Sequence, residues 1–529
     1  MKEITPEQQN SNNQNQSGDN KNRKLSRREF VSLTAAPALA FTIVPRHVLG
    51  GKGYIPPSDK ITLAYIGVGT QGIRELLPLL AVPQIQVIAV CDPNQKAVGY
   101  KDWGKDYLKN EIRKTVNKPD WEPGGDNGVA GGRENGKSIV DLYYANIHPE
   151  LKYKGCNAYA DFREMFEKEK SLDAVKIMTP DHLHGLISMA AIKRGKHVLV
   201  HKPMSNRLVE SKKVIDAAKK NPKVITHLIP WDSNGSMETV MAWLKAGAIG
   251  NLQEVHNWTN RPVWPQYPTI PEDKPPVPDG FNWDLWLGPE ADRPYHPNYT
   301  HMVFRGWYDF GGGAMADMGH YSLWTVFNAL QLTSPTVVEP HRSHVCGMHD
   351  PVPFRIPNDF SFPLASTVRF KYPANGGRPP VDLIWYDGGM RPQTPEELIA
   401  DNKDMPQEGM MFIGDKGKIL AGFNVQDPKI LSGTKMDAPA SAAAANRDQV
   451  ALTSAALPLF VDACKTGKQY PGNFLEAEYL TEAVNLYAAS LRSNKMLKYD
   501  AASQKVTNAP EVNQYLDRVY RSGFDIASI

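Results

Sequence analysis

Hydrophobic positions along the first half of the chain fall into two alternating kinds of run. Residues 61–66 (Ile-Thr-Leu-Ala-Tyr-Ile) are almost continuously apolar, as in a parallel strand covered on both faces. Ile73, Leu76, Leu77 and Leu80 then recur at helical spacing. A second apolar run, 86–91, ends at Asp92, and runs at 174–178 and 197–200 read as further strands around a helix ending near Lys193-Arg194-Gly195. The alternation predicts an α/β domain with a parallel sheet. The second half reads differently. It holds a Pro- and aromatic-rich stretch from Arg261 to Pro297, a hairpin turn at 414–419, an Ala-rich loop at 436–448, and helical periodicity from Leu457 to Leu491 that packs back onto the structure.

The chemistry sits where the strands end, the edge at which open α/β sheets bind ligands. Gly67-Val68-Gly69-Thr70-Gln71-Gly72 joins the first strand to the first helix. Gly67 suits the tight turn, Gly69 close approach of a pyrophosphate, and Gly72 helix–strand packing, while the helix N-terminus offers free N–H groups. Asp92, twenty residues beyond Gly72, can accept from ribose hydroxyls and would repel a 2′-phosphate, which selects NAD over NADP. Polar clusters follow two later strands: Thr179-Pro180-Asp181-His182-Leu183-His184 and His201-Lys202-Pro203. The glycine-rich stretch 100–155 is too long for an ordinary connection and reads either as an insertion near the site or as a surface loop.

Composition narrows the class. With 529 residues, 41% hydrophobic and 22% charged, the chain is an ordinary globular protein of several domains. Its 60 basic and 57 acidic residues leave a net charge of +3, no basis for nucleic-acid binding. Four scattered cysteines without a CxxC pair give neither a disulfide framework nor a metal site. Residues 1–50 read as an address: a polar tail, then Ser26-Arg27-Arg28-Glu29-Phe30, a weak apolar run from Val31 to Val44, and the small-residue step Ala38-Leu39-Ala40. The paired arginines resemble a twin-arginine signal, which implies periplasmic export. The apolar run is too short to span a membrane. Rossmann and second domains are expected at 51–230 and 231–529.

These motifs resemble the Gfo/Idh/MocA superfamily, named for glucose–fructose oxidoreductase and inositol dehydrogenase. The resemblance rests on GVGTQG at 67–72, CDP at 91–93, TPDHLH at 179–184, HKP at 201–203 and GGGAMADMGH at 311–320. It implies a second, α+β domain with a large open, mostly antiparallel sheet, through which a homo-oligomer would form. It implies that Lys202 is the central catalytic group and that Thr179, Pro180 and His184 line the nicotinamide side. His201 stands where the family has glutamate. The family pattern D-x-G-x-H-x-x-D is met only in part: His320 follows Asp317-Met318-Gly319 one place early, and Tyr321 stands where histidine is usual. The candidate base is therefore Lys202, with His320 oriented by Asp317, or Tyr321, as alternatives. Arg305, Trp307 and Trp286 are candidates for a sugar, whose C–H face stacks on aromatic rings while its hydroxyls hydrogen-bond.

The expected activity is NAD-dependent oxidation of a secondary hydroxyl of a sugar or glycoside. Scarce free NAD outside the cytoplasm favours a tightly bound, internally recycled cofactor, and with it oxidation at C-3, where the ketone acidifies C-2. The alternatives are an NAD-dependent glycosidase of the α-N-acetylgalactosaminidase type, with no net redox change, and a non-catalytic sugar-binding protein.

Overall fold

The structure is a computed structural model describing residues 55–56, 59–100, 102, 104–124, 128–229, 235–264, 266–437 and 449–529. The expected export signal, and all but the start of the loop at 436–448, lie outside these residues.

Six parallel strands form the first sheet: β1 (Ile61–Ile66), β2 (Ile85–Cys91), β3 (Asn157–Tyr159), β4 (Ala174–Ile177), β5 (His197–His201) and β6 (Thr226–Ile229). Their order, β3-β2-β1-β4-β5-β6, reverses direction between β1 and β4 and opens a crevice there. Strand alternation sends Ala64, Ile66, Val175, Ile177, Val198 and Val200 into one core, and Leu63, Tyr65, Val87, Val90, Ala174 and Leu199 into another on the opposite face. The continuous apolar runs in the sequence are the signature of that double burial. Helices α1 (Thr70–Leu80), α2 (Lys105–Thr115), α3 (Arg133–Ile147), α4 (Phe162–Lys168), α5 (Asp181–Lys193) and α6 (Leu208–Lys220) cover the sheet.

The stretch 100–155 is not one loop. It holds α3, the crossover helix packed on β2 and β3, and the additional helix α2 packed on α1. Gly132 sits at φ +85° and donates its N–H to the Val68 carbonyl (2.8 Å), pinning this segment to the glycine loop.

The second sheet has nine strands in the order β15-β14-β13-β7-β12-β11-β8-β16-β17. They are β7 (Leu252–Trp258), β8 (Val337–Arg342), β11 (Ser366–Tyr372), β12 (Val381–Asp387), β13 (Gly409–Gly414), β14 (Lys418–Ala421), β15 (Lys429–Ser432), β16 (Leu497–Asp500) and β17 (Lys505–Val506), with a separate hairpin β9–β10 (Cys346–His349, Val352–Arg355). Pairing is antiparallel except between β7 and β12. Helices α7 (Gly235–Lys245), α8 (Trp283–Leu287), α9 (His320–Ala329), α10 (Glu396–Ala400), α11 (Gln449–Thr466) and α12 (Glu478–Ser493) complete it. A π turn, Met315–Gly319, leads into α9.

A boundary at 230 divides the sheets but not the layers. Leu457, Phe460 and Val461 of α11 join the core of Leu63 and Leu76, so this helix packs on α1 of the first domain. Phe281 and Trp286 of the Pro- and aromatic-rich segment form a separate core with Tyr299, Phe304, Trp307 and Phe310, which follow it.

Candidate active site

A cavity of about 410 Å³ runs along the crevice, walled on one side by the ends of β1, β2, β4 and β5 and on the other by residues 261, 263–264, 301–305, 317–318 and 321. The glycine loop forms one end. Gly67 has φ +92°, and a Cβ there would lie 2.5 Å from the Met178 carbonyl carbon; one on Gly72 would lie 2.2 Å from the Gly67 carbonyl oxygen. Gly69 differs: a Cβ there would meet only Tyr100, at 3.6 Å, so the space above it is open to a ligand. No side chain caps α1, whose first turn holds Thr70, Gln71 and Gly72, so its leading N–H groups remain free for an anion. Asp92 accepts from the backbone N–H of Val68 and of Asn94 (both 2.8 Å), leaving lone pairs for hydroxyls, and burial pushes its carboxyl up to about 6.

At the other end β5 delivers Lys202, with the peptide to Pro203 cis. Its Nζ donates to Asp317 Oδ1 at 2.5 Å and lies 5.1 Å from the centre of the Tyr321 ring. Burial lowers the Lys202 pKa to about 8, with Arg305 adding to the effect and Asp317 opposing it. Burial would raise the Asp317 carboxyl, but Lys202 and Arg305 outweigh it and hold it well below its usual range. Arg305 is fixed in turn by Asp181, fully buried at the start of α5, through contacts of 3.0 and 3.2 Å, and stands 3.5 Å from Asp317. Asp181 also accepts from the Gly312 N–H (3.0 Å), tying the GGG segment to the first domain. His184 orders the corner between its two ends, one ring nitrogen 2.6 Å from the Pro203 carbonyl and the other 2.7 Å from the Thr179 carbonyl. Thr179 Oγ1 is buried on the cavity wall with no hydrogen-bond partner among the described residues.

Behind Lys202 lies a second polar cluster. Lys176 of β4 donates to Glu75 of α1 at 2.7 Å, and His201 Nε2 is 3.2 Å from the other Glu75 oxygen; all three side chains are at most 7% exposed. Burial pushes His201 down to about 4, so it is neutral near pH 7. The carboxylate that the resemblance expects at position 201 is thus supplied beside it by α1. Sequence reasoning missed Glu75 and Lys176; a lone acid in an apolar helix face and a lone lysine in an apolar strand were the available signal.

Two expected site residues are corrected. His320 is completely buried off the cavity wall, its ring 6.5 Å from Trp324, and burial with the nearby Lys202 charge lowers its pKa to about 3. It is not oriented by Asp317, whose oxygens serve Lys202 and Arg305. A π turn closes five residues on rather than four, so Tyr321 rather than His320 comes round to the face that Asp317 presents. Trp307 is also off the wall, stacked on Tyr267 at 4.4 Å with its indole N–H donating to the Asn298 carbonyl (2.7 Å). Gly67, Gly69, Thr70, Gln71, Gly72, Asp92, Thr179, Pro180, His184, His201, Lys202, Trp286, Arg305, Asp317 and Tyr321 all reach the cavity. So do Arg261, Trp264, Tyr100 and His301, which the motifs did not single out.

Residues 133–228 match the NAD-binding Rossmann-fold model of the Gfo/Idh/MocA oxidoreductase family, and residues 241–342 match that family's C-terminal alpha/beta domain. Together the two matches cover 198 of the 529 residues. Among curated proteins, levoglucosan dehydrogenase of Pseudarthrobacter phenanthrenivorans is 31% identical over 116 residues, which is 20% of this chain and 29% of the relative. A dTDP-3,4-didehydro-2,6-dideoxy-alpha-D-glucose 3-reductase of Streptomyces violaceoruber is 29% identical over 99 residues, 19% of this chain and 29% of the relative. The match thus spans less than a third of these relatives' length. Levoglucosan dehydrogenase solved with NADH and L-sorbose shares the fold at a TM-score of 0.50 and 12% identity, over 84% of this chain and 100% of that one. The WlbA dehydrogenase of Chromobacterium violaceum, solved with NADH and UDP-GlcNAcA, shares it at 0.50 and 14%, over 84% and 97%.

Proposed function

We propose that this protein is an exported, NAD-dependent oxidoreductase acting on a secondary hydroxyl of a sugar or glycoside. One observation carries the reading: a phosphate cradle with an acid for the ribose, and a lysine with a depressed pKa, open onto the same cavity. Gly67 to Gly72 would hold the diphosphate, Asp92 the adenosine ribose, and Thr179 and Pro180 the nicotinamide end, where the orphaned Thr179 hydroxyl needs a partner. NAD, when bound, supplies the hydride acceptor.

The chain's own part is proton transfer and orientation. As a free amine, Lys202 takes the proton of the reacting hydroxyl; Asp317 holds its Nζ in place and Arg305 holds Asp317. Tyr321 closes the wall beside them. Restriction of the cofactor to one tightly held molecule favours oxidation at C-3 of a glycoside, followed by internal recycling. The test incubates the purified protein with paired anomeric glycosides, reading NADH absorbance, keto-sugar and free reducing sugar together. Keto-sugar with enzyme-bound NADH is expected. Reducing sugar without net NADH would instead assign an NAD-dependent glycosidase, and binding without either would leave a sugar-binding protein. Denatured protein should release stoichiometric NAD; released NADP would overturn the role given to Asp92. Export is tested separately: Arg27→Lys with Arg28→Lys should strand the precursor in the cytoplasm, and unaltered export would rule out the twin-arginine route.

A further inference from the structure

Most charged groups around the cavity come with an opposite charge. Lys202 is paired with Asp317, Arg305 with Asp181, and Arg74 with Asp102. Arg261 breaks the pattern. It lies three residues past the end of β7, on the wall opposite the glycine loop, and is only partly buried. Its backbone is engaged at both ends, the N–H donating to Thr259 Oγ1 (3.3 Å) and the carbonyl accepting from the Gly388 N–H (2.5 Å). Among the described residues its guanidinium has neither a hydrogen bond nor an ion pair. A second donor on the same wall is in the same condition: the buried indole N–H of Trp264, three residues on, has no acceptor among the described residues. Arg261 also acts on the reacting end of the cavity, since its charge helps hold the Asp317 carboxyl low and lowers the Tyr321 hydroxyl against burial.

A cation with neither a hydrogen bond nor an ion pair of its own among the described residues, beside an orphaned donor, is a site for an anion that arrives with the ligand. The glycine loop and α1 already provide for the cofactor diphosphate from the other wall. We propose that the substrate is an acidic sugar, and that Arg261 binds its carboxylate while Lys202 addresses a ring hydroxyl. One unpaired guanidinium supplies one charge and a planar two-pronged fork, which fits a carboxylate; a phosphomonoester would bring a second charge with nothing left to meet it. This inference rests on the sugar oxidoreductase reading for its reaction, but not for its binding step.

The experiment therefore measures both on the NAD-loaded protein, with methyl glucuronide against methyl glucoside and methyl galacturonide against methyl galactoside, each as both anomers. At least one uronide should bind by calorimetry and exceed its neutral match in kcat/KM by about 10²-fold, the scale of a lost charge-assisted contact. Arg261→Gln should abolish that preference, the loss falling mainly on the KM for the uronide, while NAD is retained. Arg261→Lys should restore it in part, because an ammonium keeps the charge but not the fork. Equal binding of uronide and neutral glycoside, an equal loss for both in Arg261→Gln, or no binding of any uronide would overturn the proposal. A uronide that binds through Arg261 and is never oxidised would uphold it while refuting the oxidoreductase reading.

Discussion

The two walls of the cavity are built by different means. On the Rossmann wall, Gly67, Asp92, Thr179, His201 and Lys202 stand at or just past the ends of regular parallel strands, so the sheet hydrogen bonds that register β1, β2, β4 and β5 also register the chemistry. On the facing wall, Arg261, Arg305, Asp317 and Tyr321 come from a loop, a 3₁₀ turn (His301–Gly306), a π turn and the start of α9. Nothing periodic positions them. Their order comes from the crossing contacts Lys202–Asp317, Asp181–Arg305 and Asp181–Gly312, each of which joins the irregular wall to the regular one. The regular wall carries the shape of the site, and the irregular wall takes its geometry from ion pairs.

The largest expected effect lies on the regular wall. Gly72→Ala places a Cβ against the Gly67 carbonyl, where backbone must move, and should eliminate retained NAD; nucleotide released on denaturation measures it. On the irregular wall, Asp317→Asn leaves the charges of Lys202 and Arg305 without their shared carboxylate and should lower kcat by about 10²-fold while NAD is retained. The same variant carries a sharper readout. Neutral Lys202 is the active form, so activity rises with pH through a midpoint near 8; Asp317 stabilises the charged form, and its removal should move that midpoint downward. An upward move would show that Asp317 does not act on Lys202.

A smaller contrast separates Tyr321 from His320. Tyr321→Phe should reduce turnover by about 10-fold at unchanged stability, because the hydroxyl belongs to the cavity side of the helix. His320→Leu should leave turnover within a few fold and act on stability instead. The unfolded chain protonates a histidine near pH 6.5, whereas the buried His320 does so only near 3. The unfolded state therefore binds more protons between those values, and stability falls as pH falls through that window. His320→Leu should flatten the fall in Tm between pH 7 and pH 5, the smallest effect of the set. An unchanged slope with lost turnover would return His320 to the reaction.

The same contrast explains what the sequence could reveal. Strands expected at 61–66, 86–91, 174–178 and 197–200 are found at 61–66, 85–91, 174–177 and 197–201, because continuous apolar runs report burial on both faces. The short strands at 157–159 and 226–229 gave no such run. The crossover helix within 100–155 was hidden by the glycine turns around it. On the irregular wall the motif placed Asp317 but left His320 and Tyr321 open as its companion, since a π turn shifts register by one residue without altering the hydrophobic pattern. Arg261 had no signal at all: an unpaired charge is defined by what surrounds it in space. His201 was legible from its motif, but Glu75 and its meeting with His201 across α1 and β5 were not.

The central claim is that the two ends of the cavity are separable, with the glycine loop binding the cofactor and Lys202 serving the reaction. Lys202→Ala tests it most directly when retained NAD and kcat are measured on one preparation. Full retention of NAD with kcat lowered by about 10²-fold or more is the expected result. Undiminished turnover would contradict the account, and loss of NAD in step with turnover would show that Lys202 holds the cofactor rather than moving a proton.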